Sequence, residues 1–428
     1  MRWQEKGERD RMEHPLPEWK DPPMTELAPG DDSFLDDLIA LRRRLHAAPE
    51  IGLQLPMTQQ LVLEALAGLD LEITLGTETS SVVAVLRGGR PGPVVLLRGD
   101  MDGLPLVEDT GLPYASTNGA MHACGHDLHV AGLVGAARLL AARQEELPGS
   151  VIFMFQPGEE GYDGAGVMLR EGVLDAAGER PIAAYGVHVS ADVRTGLVTG
   201  RPGTLMAAYS VLDVRVVGRG GHGSRPHEAL DPVPATAEMI SALYAHVTRR
   251  YSAFDPVVLT VGEIHAGSAP NIIPDQTHFR AGVRSFSTAV TLQLVDELPR
   301  FVTDIGRAHG LTVRATMRNV LPATINDAVE AETFAQTASD LFGEDRYQEL
   351  ENPRTGSEDF SRVLAEVPGA YGFVGAAKDF DPADMPASNH SPQARFDDSV
   401  LADQALLLAT LAWERLRAAS SGGGVAEG

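Results

Sequence analysis

Pro93-Val94-Val95-Leu96-Leu97 runs directly into Arg98-Gly99-Asp100-Met101-Asp102-Gly103-Leu104-Pro105. The short apolar run reads as a strand buried on both faces, as in a parallel sheet. The acidic stretch behind it reads as a loop at the strand's carboxyl end, where open α/β sheets hold their sites. The same pattern recurs outward from this point. Residues 81–86, 150–155 and 183–189 are further apolar strand candidates. Residues 34–46, 58–69 and 127–143 carry apolar side chains at helical spacing, with Asp127 near the start of its helix. This alternation predicts an α/β fold with a mainly parallel sheet covered by helices.

Near Gly203 the texture changes. Strand 207–217, helix 231–249, strands 257–264 and 277–286, helix 290–309 and strand 311–320 follow in turn. That is the β-α-β-β-α-β order of a ferredoxin-like α+β domain. The α/β texture then resumes with helix 327–341, strand 370–374 and helix 399–417. The expected division is therefore a catalytic domain of residues 34–202 and 319–419 holding an inserted domain of residues 203–318. Residues 1–33 and 420–428 are expected to be flexible tails, by their charge, proline and glycine content.

The chain has 428 residues, with 35 basic against 59 acidic side chains and a formal charge of -24. Such a balance argues against a nucleic-acid partner. A single cysteine excludes an internal disulfide. The N-terminal stretch lacks the apolar core of a secretory signal, and no apolar run approaches the roughly 20 residues of a membrane span. A cytoplasmic protein without membrane contact is expected.

The cysteine lies in His122-Ala123-Cys124-Gly125-His126-Asp127. A thiolate and an imidazole two residues apart suit a borderline-soft divalent ion. Further donors stand in loops after strand candidates: Gln156-Pro157-Gly158-Glu159-Glu160-Gly161, His188, and Asn389-His390-Ser391. One thiolate sulfur can bridge two ions, so one cysteine can serve a binuclear centre. Of two adjacent glutamates, one can bind metal while the other takes a proton from water. Taken singly, Cys124 reads as a buried small hydrophobe, His188 as a core histidine, His390 as a surface histidine and Glu159-Glu160 as a solvated pair. Their joint occurrence favours a site. His122 reads as structural, His46 and His129 as packing or helix-surface residues, Arg42–Arg44 as a solvated helix face, and Gly220-Gly221 with Gly223 as a tight turn.

Several segments together resemble one known family. They are Leu41–Glu50, Arg98–Pro105, His122–Asp127, Gln156–Gly161, Gly186–Val189, Gly220–Pro226, Asn271–Pro274 and Gly356-Ser357-Glu358-Asp359-Phe360, in family order from about Phe34 to Arg417. The sequence resembles the M20 metallopeptidases, and within them the amidohydrolases: hippurate hydrolases, N-acyl-amino-acid deacylases and auxin-conjugate hydrolases. The resemblance implies two divalent ions per subunit (zinc, manganese, cobalt or nickel) bridged by Cys124. His126 and His188 would serve one ion, Glu160 and His390 the other. It implies Glu159 as general base and Asp102 as the aspartate that orients a ligand histidine. His222 would reach a partner's site in a homodimer, with the inserted domain as lid and dimerisation unit. Asn271 and Arg284 would meet the substrate carboxylate.

The implied activity is hydrolysis of the amide of an N-acyl amino acid or peptide-like conjugate. A dipeptidase, an aminopeptidase or an N-carbamoyl amide hydrolase is the alternative, and an inactive conjugate-binding relative is a further one. The departures from the family pattern are few. Gly99, Gly103 and Gly158 stand where alanine is usual. Ser190-Ala191-Asp192 after His188 lacks the usual aromatic and proline, which bears on the pocket wall.

Overall fold

A computed structural model describes residues 33–421 except 379, 382 and 384. Its larger sheet has eight strands among the described residues. Their spatial order is Glu72–Leu75, Val82–Arg87, Pro148–Gln156, Arg90–Asp100, Ala183–Arg194, Gly369–Ala377, Val198–Gly200 and Tyr347–Glu349. The four central strands, from Pro148–Gln156 to Gly369–Ala377, are mutually parallel. Antiparallel pairs flank them. Two of these strands, Pro148–Gln156 and Gly369–Ala377, are mostly apolar and buried along nearly all their length, because both faces are covered.

Helix His126–Ala141 is buried almost all round. It packs against helices Ser33–Ala47 and Val400–Ser421 and against the sheet, so beyond His129 its sequence is almost wholly apolar. The helix starts at Gly125, whose φ of 84° is left-handed. A β-carbon there would lie 2.3 Å from Val189 Cγ2. At Gly99, a β-carbon would lie 2.8 Å from the His129 carbonyl oxygen. Glycine in place of the family's alanine lets this helix approach the strand closely.

The inserted unit has four antiparallel strands in the order Val257–Ala266, Gln276–Ser285, Ala208–Val217 and Thr312–Leu321. Helices Pro232–Arg250 and Thr288–Ala308 cover one face over a separate core that includes Leu212, Val214, Phe279, Val283, Leu294 and Leu298. The chain enters through Gly203–Met206 and returns through Thr324–Asn326, which pair with each other. The α/β fold with an inserted β-α-β-β-α-β unit agrees with the sequence reading.

Some details differ. The first helix begins at Ser33, and the last runs to Ser421, past the expected end at 417. The rest of the expected tails, residues 1–32 and 422–428, lies outside the described residues. Short strands Glu72–Leu75, Val198–Gly200 and Tyr347–Glu349 were not expected. The glycine-rich stretch is more than a turn: Gly221–His222 pairs with Ile272–Ile273. Among the described residues, no helix is long and apolar enough to cross a membrane.

Candidate metal centre

The ladder between Arg90–Asp100 and Ala183–Arg194 ends at Arg98 and Gly186. Beyond that point, side chains converge at the strand ends. Cys124 lies in the turn before helix His126–Ala141, with its sulfur 3.3 Å from His188 Nε2 and 3.1 Å from His390 Nε2. His188 Nδ1 donates to the Val189 carbonyl at 2.7 Å, so the Nε2 lone pair faces the sulfur. The His390 N–H donates to the Ala123 carbonyl at 2.9 Å. His390 has a left-handed φ of 66°, a conformation that costs a non-glycine residue about 1 kcal/mol or more. Asn389 fixes this loop. Its Nδ2 donates to the carbonyls of Cys124 at 3.1 Å and Val189 at 3.0 Å, while its Oδ1 accepts the Ala191 N–H at 2.8 Å.

The five residues expected as ligands fall into two groups that share the Cys124 sulfur. Cys124, His126 and His188 form one, and Cys124, Glu160 and His390 the other. In each group, one donor atom per residue lies within 4.8 Å of the others. Both ring nitrogens of His126 are buried without a well-formed hydrogen bond among the described residues, each 3.4 Å from a carboxylate oxygen, of Asp100 or Asp102, and Glu160 Oε1 lies 3.1 Å from His390 Nε2. Buried polar atoms without partners are costly, and a cation between these donors would satisfy them. Thiolate, imidazole and carboxylate donors suit divalent ions of the zinc type.

Charge within the site is strongly coupled. Hydrogen bonding to Cys124 and Glu160 raises His390 to about 10. Burial lowers the His126 pKa, but Asp100, Asp102 and Cys124 together carry it well above the usual value. His188 is driven well below its ordinary range by burial and by His129. A neutral His188 is the form that ligates.

Asp102 is buried and organises the glutamate turn. Its two oxygens accept the N–H groups of Glu159 and Glu160, each at 3.0 Å. Its Oδ1 also lies 3.4 Å from His126 Nδ1. The Glu159 carboxyl is buried and makes no hydrogen bond or ion pair among the described residues. Burial, then the nearby Glu358, Glu160 and Asp359, raise its pKa well above the carboxylate range. Divalent charge beside it acts in the opposite sense.

Several residues beneath the site were given no such place by the sequence. Arg98 is buried against Asp100 at 2.9 Å, Glu358 at 2.7 Å and Asp359 at 3.1 Å. Burial raises Asp359 to about 8, with Arg98 opposing and Glu358 adding to the rise. His129, expected to serve packing or the helix surface, is buried with both nitrogens engaged. Its Nδ1 is 2.5 Å from Asp100 Oδ1, and its Nε2 accepts the Val189 N–H at 2.9 Å.

The expectation that Arg42–Arg44 form a solvated face fails at Arg42. Its guanidinium is buried, 2.6 Å from Asp127 and 3.0 Å from Asp398. His46 lies on the same helix face, between Asp127 at 2.8 Å and Glu108 at 3.1 Å. The i, i+4 spacing of Arg42 and His46, alongside Leu38, Leu41 and Leu45, was the available signal. His122 is buried, and burial lowers it to about 3, so it is neutral.

The chain does not bring every expected residue to this centre. His222 is exposed, and its Nδ1 accepts from the Ser224 hydroxyl at 2.9 Å. Asn271 is exposed, with its carbonyl accepting the Gly223 N–H at 2.8 Å. Arg284 donates to the Thr355 carbonyl at 2.9 Å and lies over the Tyr209 ring. Among the described residues, none of the three is hydrogen-bonded to a side chain of the two donor groups.

The profile of Peptidase family M20/M25/M40 matches residues 96–414. The chain belongs to the M20 peptidase family. The M20 chain is 35% identical to thermostable carboxypeptidase 1 of Saccharolobus solfataricus over 88% of its own length and 95% of that protein. It is 34% identical to an N-acetylcysteine deacetylase of Bacillus subtilis, covering 81% of its own length and 90% of that protein. Among solved structures, it is similar to a dinuclear metal-binding M20 peptidase of Bacillus subtilis. That match has a TM-score of 0.77 and 30% identity, covering 90% of this chain and 99% of that one. This M20 protein is a hydrolytic enzyme of the amidohydrolase and peptidase type.

Proposed function

We propose that this M20 enzyme hydrolyses the amide of an N-acyl amino acid or related conjugate, with two divalent ions held by Cys124, His126, His188, Glu160 and His390. One observation carries this reading: two donor groups share one sulfur, with the unbonded carboxyl of Glu159 beside them. The name of the deacetylase relative supports the substrate class.

Bound divalent ions supply Lewis acidity and make water more acidic. Glu159 accepts the proton of the attacking water and returns it to the departing amine. Asp102 keeps Glu159 and Glu160 aimed at their separate tasks through its two backbone hydrogen bonds. His222 of a second copy in a homodimer steadies the developing oxyanion, and the inserted domain acts as lid and dimerisation unit. Asn271 and Arg284 meet the substrate carboxylate. Zinc, manganese, cobalt and nickel all suit the donors.

Cleavage of a C-terminal residue from a peptide is the second reading, favoured by the name of the carboxypeptidase relative. Both readings leave an amino acid with its α-carboxylate. The test is chelation, reloading with each metal, and parallel assays of N-acetyl amino acids, dipeptides and N-carbamoyl amino acids. Metal-dependent release from the acetyl compounds is expected. Release from dipeptides alone would establish the second reading, and no metal-dependent release would refute both.

A further inference from the structure

Arg354 stands apart from the other arginines around the centre. It lies where the chain joins the two domains: its N–H donates to the Leu205 carbonyl at 2.8 Å, and its carbonyl accepts the Ala207 N–H at 3.1 Å. The guanidinium is half-buried, centred 3.6 Å over the ring of Phe373. Phe373 is in register with His188 on the neighbouring parallel strand, and their ring centroids are 6.0 Å apart. Arg354 is thus separated from a proposed metal ligand by one aromatic ring.

Its partners are few. NH1 donates to the Ser190 hydroxyl at 3.0 Å. No carboxylate forms an ion pair with it among the described residues, and Asp192 acts on it only through space. A guanidinium has five N–H donors, so most of its donor capacity remains. In a chain of 59 acidic residues, a half-buried arginine without an acidic partner is an unusual placement. By contrast, Arg98 is matched by three buried carboxylates.

Ser190 connects this arginine to a departure already seen in the sequence. The family pattern has an aromatic and a proline after the ligand histidine, whereas this chain has Ser190-Ala191-Asp192. The small Ser190 supplies the hydroxyl that Arg354 holds. A second guanidinium reaches the neighbouring backbone, since Arg284 of the inserted domain donates to the carbonyl of Thr355, the next residue. Arg284 of the inserted domain is thus tied to the same backbone segment that carries Arg354.

We propose that Arg354 is a specificity-determining residue that binds a second substrate carboxylate, so that the preferred substrate is a dicarboxylate. The inference rests on the amide-hydrolase reading, with Arg284 taking the α-carboxylate. The second acid belongs either to the amino-acid side chain or to the acyl group, and two ligands separate these cases. N-acetyl-L-glutamate carries it on the amino acid, and N-succinyl-L-leucine carries it on the acyl side. N-acetyl-L-leucine is the monocarboxylate control.

The experiment is calorimetric titration of the metal-loaded Glu159→Gln protein, whose slowed turnover allows binding to be read. The same titrations are run with Arg354→Met and Arg354→Lys added. At least one dicarboxylate is expected to bind about ten-fold or more tightly than the control, since pairing a carboxylate with a partly desolvated cation is worth that much. Arg354→Met should collapse this ratio, and Arg354→Lys should restore part of it. An unchanged ratio, or equal weakening of all three ligands, overturns the proposal. Wild-type turnover of N-acetyl-L-leucine tests the amide-hydrolase reading separately. If turnover persists and the ratio is absent, only the role of Arg354 falls.

Discussion

Asp102 Oδ1 accepts the backbone N–H of Glu159 at 3.0 Å, and the other oxygen of the same carboxylate does so for Glu160. One buried side chain therefore sets the turn that points two adjacent glutamates at different tasks. Asp102→Asn keeps the size but replaces one acceptor with an NH2 group facing an N–H. Metal affinity and kcat/KM should each fall about 10–100-fold, as for other residues that orient metal ligands. Metal titration and steady-state kinetics measure both. Wild-type values in both would remove Asp102 from the positioning role.

Glu159 itself should behave differently. Its carboxyl has no bonding partner among the described residues, so Glu159→Gln removes a proton acceptor without disturbing a contact. Turnover should drop about 10²–10⁴-fold, the usual share of a general base, while metal stoichiometry stays at the wild-type level. A variant that loses metal in proportion to activity would make Glu159 a ligand instead.

His129 joins two strands where their ladder has ended. It bonds Asp100 at the end of one strand and the Val189 N–H on the other, next to His188. His129→Leu fills similar space but leaves Oδ1 of the buried Asp100 carboxylate and the buried Val189 N–H without their partner, while Arg98 still holds Oδ2. The cost should be about 2–5 kcal/mol, with the charged group dominant, read as a lower denaturation midpoint. Metal content should fall as well, because Asp100 and Val189 flank His126 and His188. Unchanged metal binding would confine His129 to a stabilising role.

Much of this architecture could be read from the sequence. Apolar runs such as Val94–Leu97 mark central strands because both sheet faces are covered, and the acidic or glycine-containing stretches behind them mark the strand ends. The edge strand Glu72–Leu75 gave no such signal, since all four residues are exposed. The network under the site was equally silent. Arg42 and His46 look like surface residues until Asp127 and Asp398 arrive from distant parts of the chain. Burial of a charge depends on its partner, and local sequence does not name the partner.

That network makes a pH prediction. Each His46 ring nitrogen faces a carboxylate, Asp127 or Glu108, so the imidazolium form donates to both, although the Arg42 guanidinium also lies 3.3 Å from Nδ1. Burial and the neighbouring Arg42 lower the His46 pKa, but Asp127 and Glu108 raise it by more, to above its ordinary 6.5. Its contribution is therefore complete below pH 6.5 and is lost as pH rises through the raised value. Burial raises Glu108, but hydrogen bonds from His46, Thr110 and Ser116 bring it below 4.5, so its contribution is lost as pH falls through that lowered value. The stability difference between wild type and His46→Gln should be widest between pH 4.5 and 6.5. Urea denaturation across pH 4 to 9 measures it, and a difference that grows towards alkaline pH would exclude a charged His46.

His222 is exposed and has no hydrogen bond to the centre within its own chain, yet the proposed reaction needs a donor for the oxyanion. Supply from a second copy resolves this and can be tested by mixing. His222→Ala and Glu159→Gln subunits should each be nearly inactive alone. After random exchange, half the dimers are mixed, and each holds one complete site. Activity should then return to about a quarter of wild type. Subunit exchange is verified independently by mass spectrometry of differently tagged chains. Proven exchange without recovered activity would place the oxyanion donor within a single chain and leave His222 as a surface residue of the inserted domain.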